Sequence, residues 1–243
     1  MTLHGAKMFS LLFATLAHSS SLSHFALELG TRDTDIILIN ESAKIKVPLP
    51  SGTVQKRKIE FILGRYCAKK AMAHFDRDYE NCSLSVRKDR SPDWPSGIVG
   101  SITHSDRYIC AVAAQSADLS GLGVDCEAII AHETARNIHK HIVQPAEWAL
   151  YAHSPSRLDL AEFVTLIFSA KESIFKCYFR HIGKHFYFKD ASIDGIDFDS
   201  GLFSFTFTSD LNETFNKNFH GTGSFTKTQD HIATAVTYKS APR

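Results

Sequence analysis

The chain has 243 residues, 27 Lys and Arg against 26 Asp and Glu for a net charge of +1, and 44% hydrophobic residues. That length and apolar content suit one large domain or two small lobes whose core needs no disulfide staples. The near-zero charge gives no electrostatic footprint for nucleic acid, and no run approaches the ~20 apolar residues a bilayer span requires. The cysteines (Cys67, Cys82, Cys110, Cys126 and Cys177) are odd in number and contain no C-x-x-C pair, which fits a reduced, cytosolic setting. The 13 histidines are scattered; His132, His139, His141 and His153 lie near one another without ligand spacing.

At the N-terminus, Lys7 followed by Met8-Phe9-Ser10-Leu11-Leu12-Phe13-Ala14-Thr15-Leu16-Ala17 has the charge, apolar run and small-residue end of a short secretory signal. An apolar element packing on the first lobe accounts for it equally and agrees better with the cysteine usage. Asp35-Ile36-Ile37-Leu38-Ile39 is expected to form a short buried strand, and Pro48-Leu49-Pro50-Ser51-Gly52 to break the chain. From Gln55 to His74 the pattern is helical, with Ile59, Ile62, Leu63, Tyr66 and Ala73 near one stripe and Lys56, Arg57, Lys58, Lys69 and Lys70 mostly off it. Arg65 follows Phe61-Ile62-Leu63-Gly64, where a buried or anion-paired arginine is expected.

Two prolines stiffen Arg90-Ser91-Pro92-Asp93-Trp94-Pro95-Ser96-Gly97, which delivers Val99 to Ser105. A strand over Tyr108 to Ala114 and another over Gly123 to Glu127 are expected to pair as a hairpin, bringing His104 and the carboxylates of Asp125 and Glu127 near the same end of a sheet. In Gly123-Val124-Asp125-Cys126-Glu127 strand alternation puts Asp125 and Glu127 on one face and Val124 and Cys126 on the other. Two carboxylates so placed repel, and one hard cation would relieve them while leaving positions for phosphate oxygens.

Gln144-Pro145-Ala146-Glu147 reads as a helix start with an acidic first turn, and capping suffices to explain Glu147. A longer helix runs from about Leu158 to Arg180. It carries Phe168-Ser169-Ala170-Lys171-Glu172, with Lys176 four residues after Glu172 on the same face. That pair is either a surface ion pair or a third metal ligand beside a phosphate contact. Alternation at Phe203, Phe205, Phe207 and again from Ile232 to Val236 predicts closing strands.

Read together, Gly100-Ser101-Ile102-Thr103-His104-Ser105, Gly123 to Glu127 and Phe168 to Glu172 with Lys176 resemble the Sfp/EntD-type 4′-phosphopantetheinyl transferases in order and spacing. Lys56-Arg57-Lys58, Gly64-Arg65, Trp94-Pro95, Thr134-Ala135-Arg136 and Gln144 to Glu147 extend the likeness, and look nearest the EntD branch. Specific motifs cover roughly residues 55–180. Thr103 stands where that family often has serine, and Cys126 where isoleucine is more familiar; neither change removes a ligand.

The resemblance implies an α/β (α+β) fold of two similar lobes forming a pseudo-dimer, here residues 1–127 and 128–243, with coenzyme A and Mg²⁺ between them. It implies attack of an apo carrier-protein serine on the β-phosphate of coenzyme A, releasing adenosine 3′,5′-bisphosphate. Asp125, Glu127 and Glu172 would hold Mg²⁺, for which Mn²⁺ is an alternative. Lys176, joined by Lys171, would contact the pyrophosphate, and Arg65, Thr103, His104 and Arg90 would meet coenzyme A. Glu172 or a metal-bound water would take the serine proton. The implied partners are apo aryl or peptidyl carrier domains of an enterobactin-like siderophore synthase, served by a monomeric, cytoplasmic enzyme; association with the synthase or a membrane surface is left open. Two other readings stand beside this one: a Mg²⁺-dependent phosphate-ester hydrolase or nucleotidyltransferase using the same acidic cluster, and a non-catalytic coenzyme A or carrier-protein binder.

Overall fold

A computed structural model describes residues 3–16, 19–42, 55–152 and 157–241. The expected chain break at Pro48–Gly52, and His153, lie outside the described residues. The first elements are α1 (Leu3–Ala14), β1 (Leu22–Glu28), α2 (Arg32–Ser42) and α3 (Gln55–Met72). A short hairpin of β2 (Ser85–Val86) and β3 (Pro92–Asp93) precedes β4 (Ile98–His104), β5 (Tyr108–Gln115) and β6 (Gly121–Ala128). Then come α4 (His132–Ile142), α5 (Trp148–Ala152), α6 (Leu160–Ile182), β7 (Ala191–Asp197), β8 (Leu202–Phe207), β9 (His220–Lys227) and β10 (His231–Tyr238).

Two main antiparallel sheets result, one ordered β1-β5-β4 and the other β6-β10-β9-β8-β7. The expected hairpin between β5 and β6 is corrected here. β5 has β1 on one edge and β4 on the other, so β6 crosses to the second sheet and pairs with β10, Asp125 opposite Thr234. The sequence division between 127 and 128 falls at the end of this strand.

The strand expected at Asp35–Ile39 is instead part of α2, a second correction. Thr31 and Thr34 cap its start reciprocally, each backbone N–H donating to the other's hydroxyl at 3.1–3.3 Å, and Asp33 and Asp35 occupy the first turn. That acidic, threonine-capped start outweighs the β-branched run. The apolar N-terminal stretch packs as α1: Met8, Phe9, Leu12, Phe13 and Leu16 are buried against strands of both sheets.

Strand alternation decides where the core lies. On β5, Ile109, Ala111 and Ala113 face α3, whereas Cys110, Val112 and Ala114 join α1, β6 and β10 in a second cluster. Val124 and Cys126 of β6 belong to that second cluster, both fully buried. The remaining cluster fills the space around α6, β7, β8 and β10 with Phe163, Ile174, Tyr178, Phe205 and Phe207. Cys126 is therefore a packing residue, and burial drives its thiol pKa upward.

Candidate active site

β6 and α6 build the acidic side of the site. Gly121, Gly123, Asp125 and Glu127 share the β6 face turned to α6. A Cβ on Gly123 would lie 2.0 Å from the Ser173 carbonyl oxygen, and one on Gly121 2.7 Å from that of Cys177. The missing side chains let the helix backbone rest on the strand. The two carboxylates follow farther along the strand on the same face.

α6 is a well-formed helix. Asp159 caps it in a reciprocal capping box with Glu162, and Gly183, at φ 75°, ends it. Ser173 donates to the Thr234 carbonyl at 3.0 Å, and the hydroxyls of Ser169 and Ser173 both meet that of Thr234. This fixes α6 over β10 as well as β6.

Asp125 is buried, and its Oδ1 accepts from Lys176 Nζ at 2.7 Å, while that ammonium also donates to the Val124 carbonyl at 3.0 Å. Its Oδ2 is buried with no hydrogen-bond partner. Lys176 thus pairs across to the strand. Burial, then Asp125, push the Glu127 pKa up to about 7, with Glu172 adding to it. Burial likewise raises Glu172, opposed by Lys176 and reinforced by Asp125. The three carboxylates therefore feel one another, but they do not converge. Among the described residues no group of three His, Cys, Asp or Glu side chains is drawn together closely enough to hold an ion. Among the described residues Lys176 carries the only cation in contact with the Asp125 carboxylate.

Ser101 and Thr103, two apart on β4, point to the free edge of β6. The Val124 N–H donates to Ser101 Oγ at 3.0 Å and the Cys126 N–H to Thr103 Oγ1 at 2.9 Å; Thr103 in turn donates to Asp125 Oδ1 at 3.4 Å. Thr103, expected to meet coenzyme A, is 2% exposed, and its hydroxyl joins the sheets and bonds Asp125.

His104, next on β4, reaches the basic side. Arg57 donates to its Nε2 at 2.7 Å, and since arginine only donates, the ring proton sits on Nδ1, 3.7 Å from the buried Glu60 carboxylate. Burial lowers the His104 pKa; Glu60 opposes this, while Arg57 and Lys176 reinforce it. Lys56 and Arg57 also flank Glu60, at 4.0 and 3.4 Å. Arg57 and Glu60 were not singled out as site residues; the signal was their place on the basic start of α3, one turn apart.

Arg65 spends two donors on carbonyls, Leu84 at 3.0 Å and Phe61 at 3.5 Å, and its guanidinium lies 3.3 Å over the Phe61 ring. Burial, then Arg57, push its pKa down to about 10. Arg90 stands exposed at the tip of the β2–β3 hairpin with φ 70°, its N–H on the Arg87 carbonyl at 2.9 Å. Among the described residues no hydrogen bond or ion pair ties it to the acidic pair. Trp94 is buried against Gly100, where a Cβ would meet the indole at 2.6 Å, so this pair shapes the approach of the proline-stiffened loop to β4.

Lys171, expected beside the pyrophosphate, is 2% exposed and donates to the Ile142 carbonyl and to Glu147, each at 2.9 Å, so its ammonium is engaged inside the chain. Glu147 does cap its turn, accepting from Gln144 N–H at 2.6 Å, but it also accepts from Ile193 N–H at 2.8 Å. Burial pushes the Lys171 pKa down and the carboxylate beside it opposes this.

At the same end, the turn after β4 is clasped to β10. Asp106 meets His231 Nε2 at 2.8 Å, and Arg107 donates to Asp230 at 3.0 Å and Glu28 at 2.8 Å.

A buried aspartate and two half-buried glutamates on a strand and a packed helix, with a histidine and an arginine-bearing helix start nearby, have the chemistry that phosphate groups require. The comparisons with known proteins make this specific. Residues 44–114 match the family model described as the 4′-phosphopantetheinyl transferase N-terminal domain, and residues 121–236 that of the 4′-phosphopantetheinyl transferase superfamily. The chain belongs to the 4′-phosphopantetheinyl transferases, and its mixed α/β fold is theirs. It is 35% identical over 122 residues to enterobactin synthase component D of Escherichia coli, covering 50% of this chain and 55% of that protein. It is 31% identical over 151 residues to the 4′-phosphopantetheinyl transferase Svp of Streptomyces mobaraensis, covering 62% and 59%, and 32% identical over 151 residues to PptT of Mycobacterium tuberculosis, covering 61% and 63%. The chain thus spans a little over half the length of these relatives. Among the described residues no helix is long and apolar enough to cross a membrane.

Proposed function

We propose that this chain transfers the 4′-phosphopantetheine group of coenzyme A to a serine of an apo carrier protein, releasing adenosine 3′,5′-bisphosphate. The observation that carries it is the meeting, at β6, of Asp125, Glu127, Glu172 and Lys176 with His104 and Arg57, inside the stretches that match the family. Residues 1–127 and 128–243 act as the two lobes of a pseudo-dimer, and the substrate lies across their junction.

In the reaction the serine oxygen bonds to the β-phosphorus, the bond from that phosphorus to the bridging oxygen breaks, and the bisphosphate departs with the electron pair. The serine proton needs an acceptor. Glu172, half-buried with a raised pKa, is a stronger base than a surface carboxylate. His104 donates from Nδ1 to phosphate, and Arg57 leaves its ring to do the same as a planar fork. Arg65 and Arg90 support the nucleotide end. Lys176 moves from Asp125 to the pyrophosphate. A divalent cation suits the donor set, because Asp125 Oδ2 is a buried acceptor without a partner and the Asp125, Glu127 and Glu172 carboxylates repel one another. Held by Asp125, Glu127 and Glu172, Mg²⁺ or Mn²⁺ would neutralise charge on the pyrophosphate.

Its similarity to proteins named enterobactin synthase component D supports a siderophore synthase as the source of the carrier; we propose aryl or peptidyl carrier domains as the acceptors and a monomeric, cytoplasmic enzyme. The test is the intact mass of an apo aryl carrier protein incubated with the chain, coenzyme A and Mg²⁺, with and without EDTA. A gain of one phosphopantetheine, prevented by EDTA and abolished by Asp125→Ala in a folded chain, is the expected result. No gain on any carrier overturns it: coenzyme A hydrolysed points to a hydrolase, coenzyme A bound but intact to a binding module.

A further inference from the structure

The Glu147–Lys171 pair is the most completely buried ion pair among the described residues, 0% and 1% exposed at the side chains, and the reaction makes no use of it. A buried ion pair contributes little stability over well-packed apolar side chains, so packing alone does not explain a charge there. Its connections do. Lys171 Nζ binds the last carbonyl of α4, at Ile142, and Glu147, whose two oxygens hold Gln144 N–H and Ile193 N–H. Gln144 in turn donates to the Ala191 carbonyl at 2.7 Å. One pair therefore ties α6 to α4, to the turn before α5 and to the start of β7.

At about 100° per residue, Lys171 lies on one side of α6, Ser169 and Ser173 on the opposite side, and Glu172 between them. Ser169 and Ser173 are held by Thr234. The helix is gripped on both flanks within one turn by short polar contacts, at the level of the residue between the grips.

Resting on the transferase reading above, we infer that Lys171 and Glu147 are positioning residues: their pair fixes the rotation of α6 about its axis and so aims Glu172 at Asp125 and Glu127. Partners of this kind, one layer behind a metal ligand, set its orientation.

The test compares Mn²⁺ binding, followed by the EPR signal of the free ion, and steady-state kinetics in wild type, Lys171→Met/Glu147→Gln and Lys171→Arg. The double variant leaves no unpaired buried charge and keeps an acceptor for the backbone. With a wild-type circular dichroism spectrum and melting temperature, it should bind Mn²⁺ about tenfold more weakly and need correspondingly more Mg²⁺, while the KM for coenzyme A stays put. Native melting with Mn²⁺ affinity within twofold of wild type overturns the inference. Should the double variant not fold, Lys171→Arg decides. It keeps the charge but not the length, and a several-fold loss of Mn²⁺ affinity supports the inference whereas an unchanged affinity overturns it. A wild-type chain that transfers phosphopantetheine yet binds no Mn²⁺ overturns the aiming role alone; one that does neither overturns the transferase reading with it.

Discussion

The two sides of the site are built differently. The acidic side rests on backbone: β6 lies against α6 with no side chain between them at Gly123, and Asp125 is 3% exposed. The basic side rests on side chains. Arg57 and His104 are held by each other and by Glu60, with the Arg57 side chain 62% exposed. The acidic side is thus preorganised before any ligand arrives, which favours electrostatic stabilisation, whereas the basic side can rearrange around a phosphate.

The sharpest way to break this contrast is Gly123→Ala. Its Cβ would stand 2.0 Å from the Ser173 carbonyl, so we expect a loss of about 3 kcal/mol or more and little folded chain by circular dichroism. A folded, active Gly123→Ala chain would mean that the acidic side is as adaptable as the basic one. Thr103→Val comes next. It strands the Cys126 N–H in the interior, a loss of about 1–3 kcal/mol in urea unfolding that Thr103→Ser should restore.

On the basic side, His104→Ala should leave the melting temperature nearly unchanged while raising the KM for coenzyme A about tenfold, one hydrogen bond to a charged group. An unchanged KM would remove His104 from the site.

The smallest effect belongs to Asp230, part of the clasp on β10. Its hydrogen bond to His231 lowers its pKa to about 2, with Thr228 and Arg107 adding to this. A depressed carboxylate stabilises the fold above its unfolded pKa near 4, and that contribution disappears as pH falls through about 2. Solvent screening holds it to about 0.5 kcal/mol. Wild type should therefore melt slightly above Asp230→Asn at pH 5 and together with it at pH 2.

What the sequence revealed divides along the same line. Asp125 and Glu127 on one face, Val124 and Cys126 on the other, and the apolar stripes of α3 and α6 were readable because local periodicity dictates them. The partner of β6 was not. The short link from β5 suggested a hairpin, but β10 lies more than a hundred residues away and nothing local to β6 names it. The surroundings of Lys171 were hidden for a related reason. One residue from Glu172, it resembles a second phosphate contact, and only the packing of α4 and β7 turns it inward. Arg57 and Glu60 were legible only as a basic helix start, because their meeting with His104 depends on how α3 crosses β4. For α2, the Thr31 to Asp35 capping signal was present and was outvoted by a run of isoleucines.

The hydroxyls of Ser101 and Thr103 have one more effect. Beyond its ladder with β10, β6 would present bare N–H groups along its other margin, the kind of template on which a second chain can add a strand. Two short side chains occupy those donors at Val124 and Cys126 and close the margin to strangers. Removing both should do more than loosen the fold: Ser101→Val/Thr103→Val should turn β6 into an adhesive edge, and the chain should leave a sizing column as a spread of multimers.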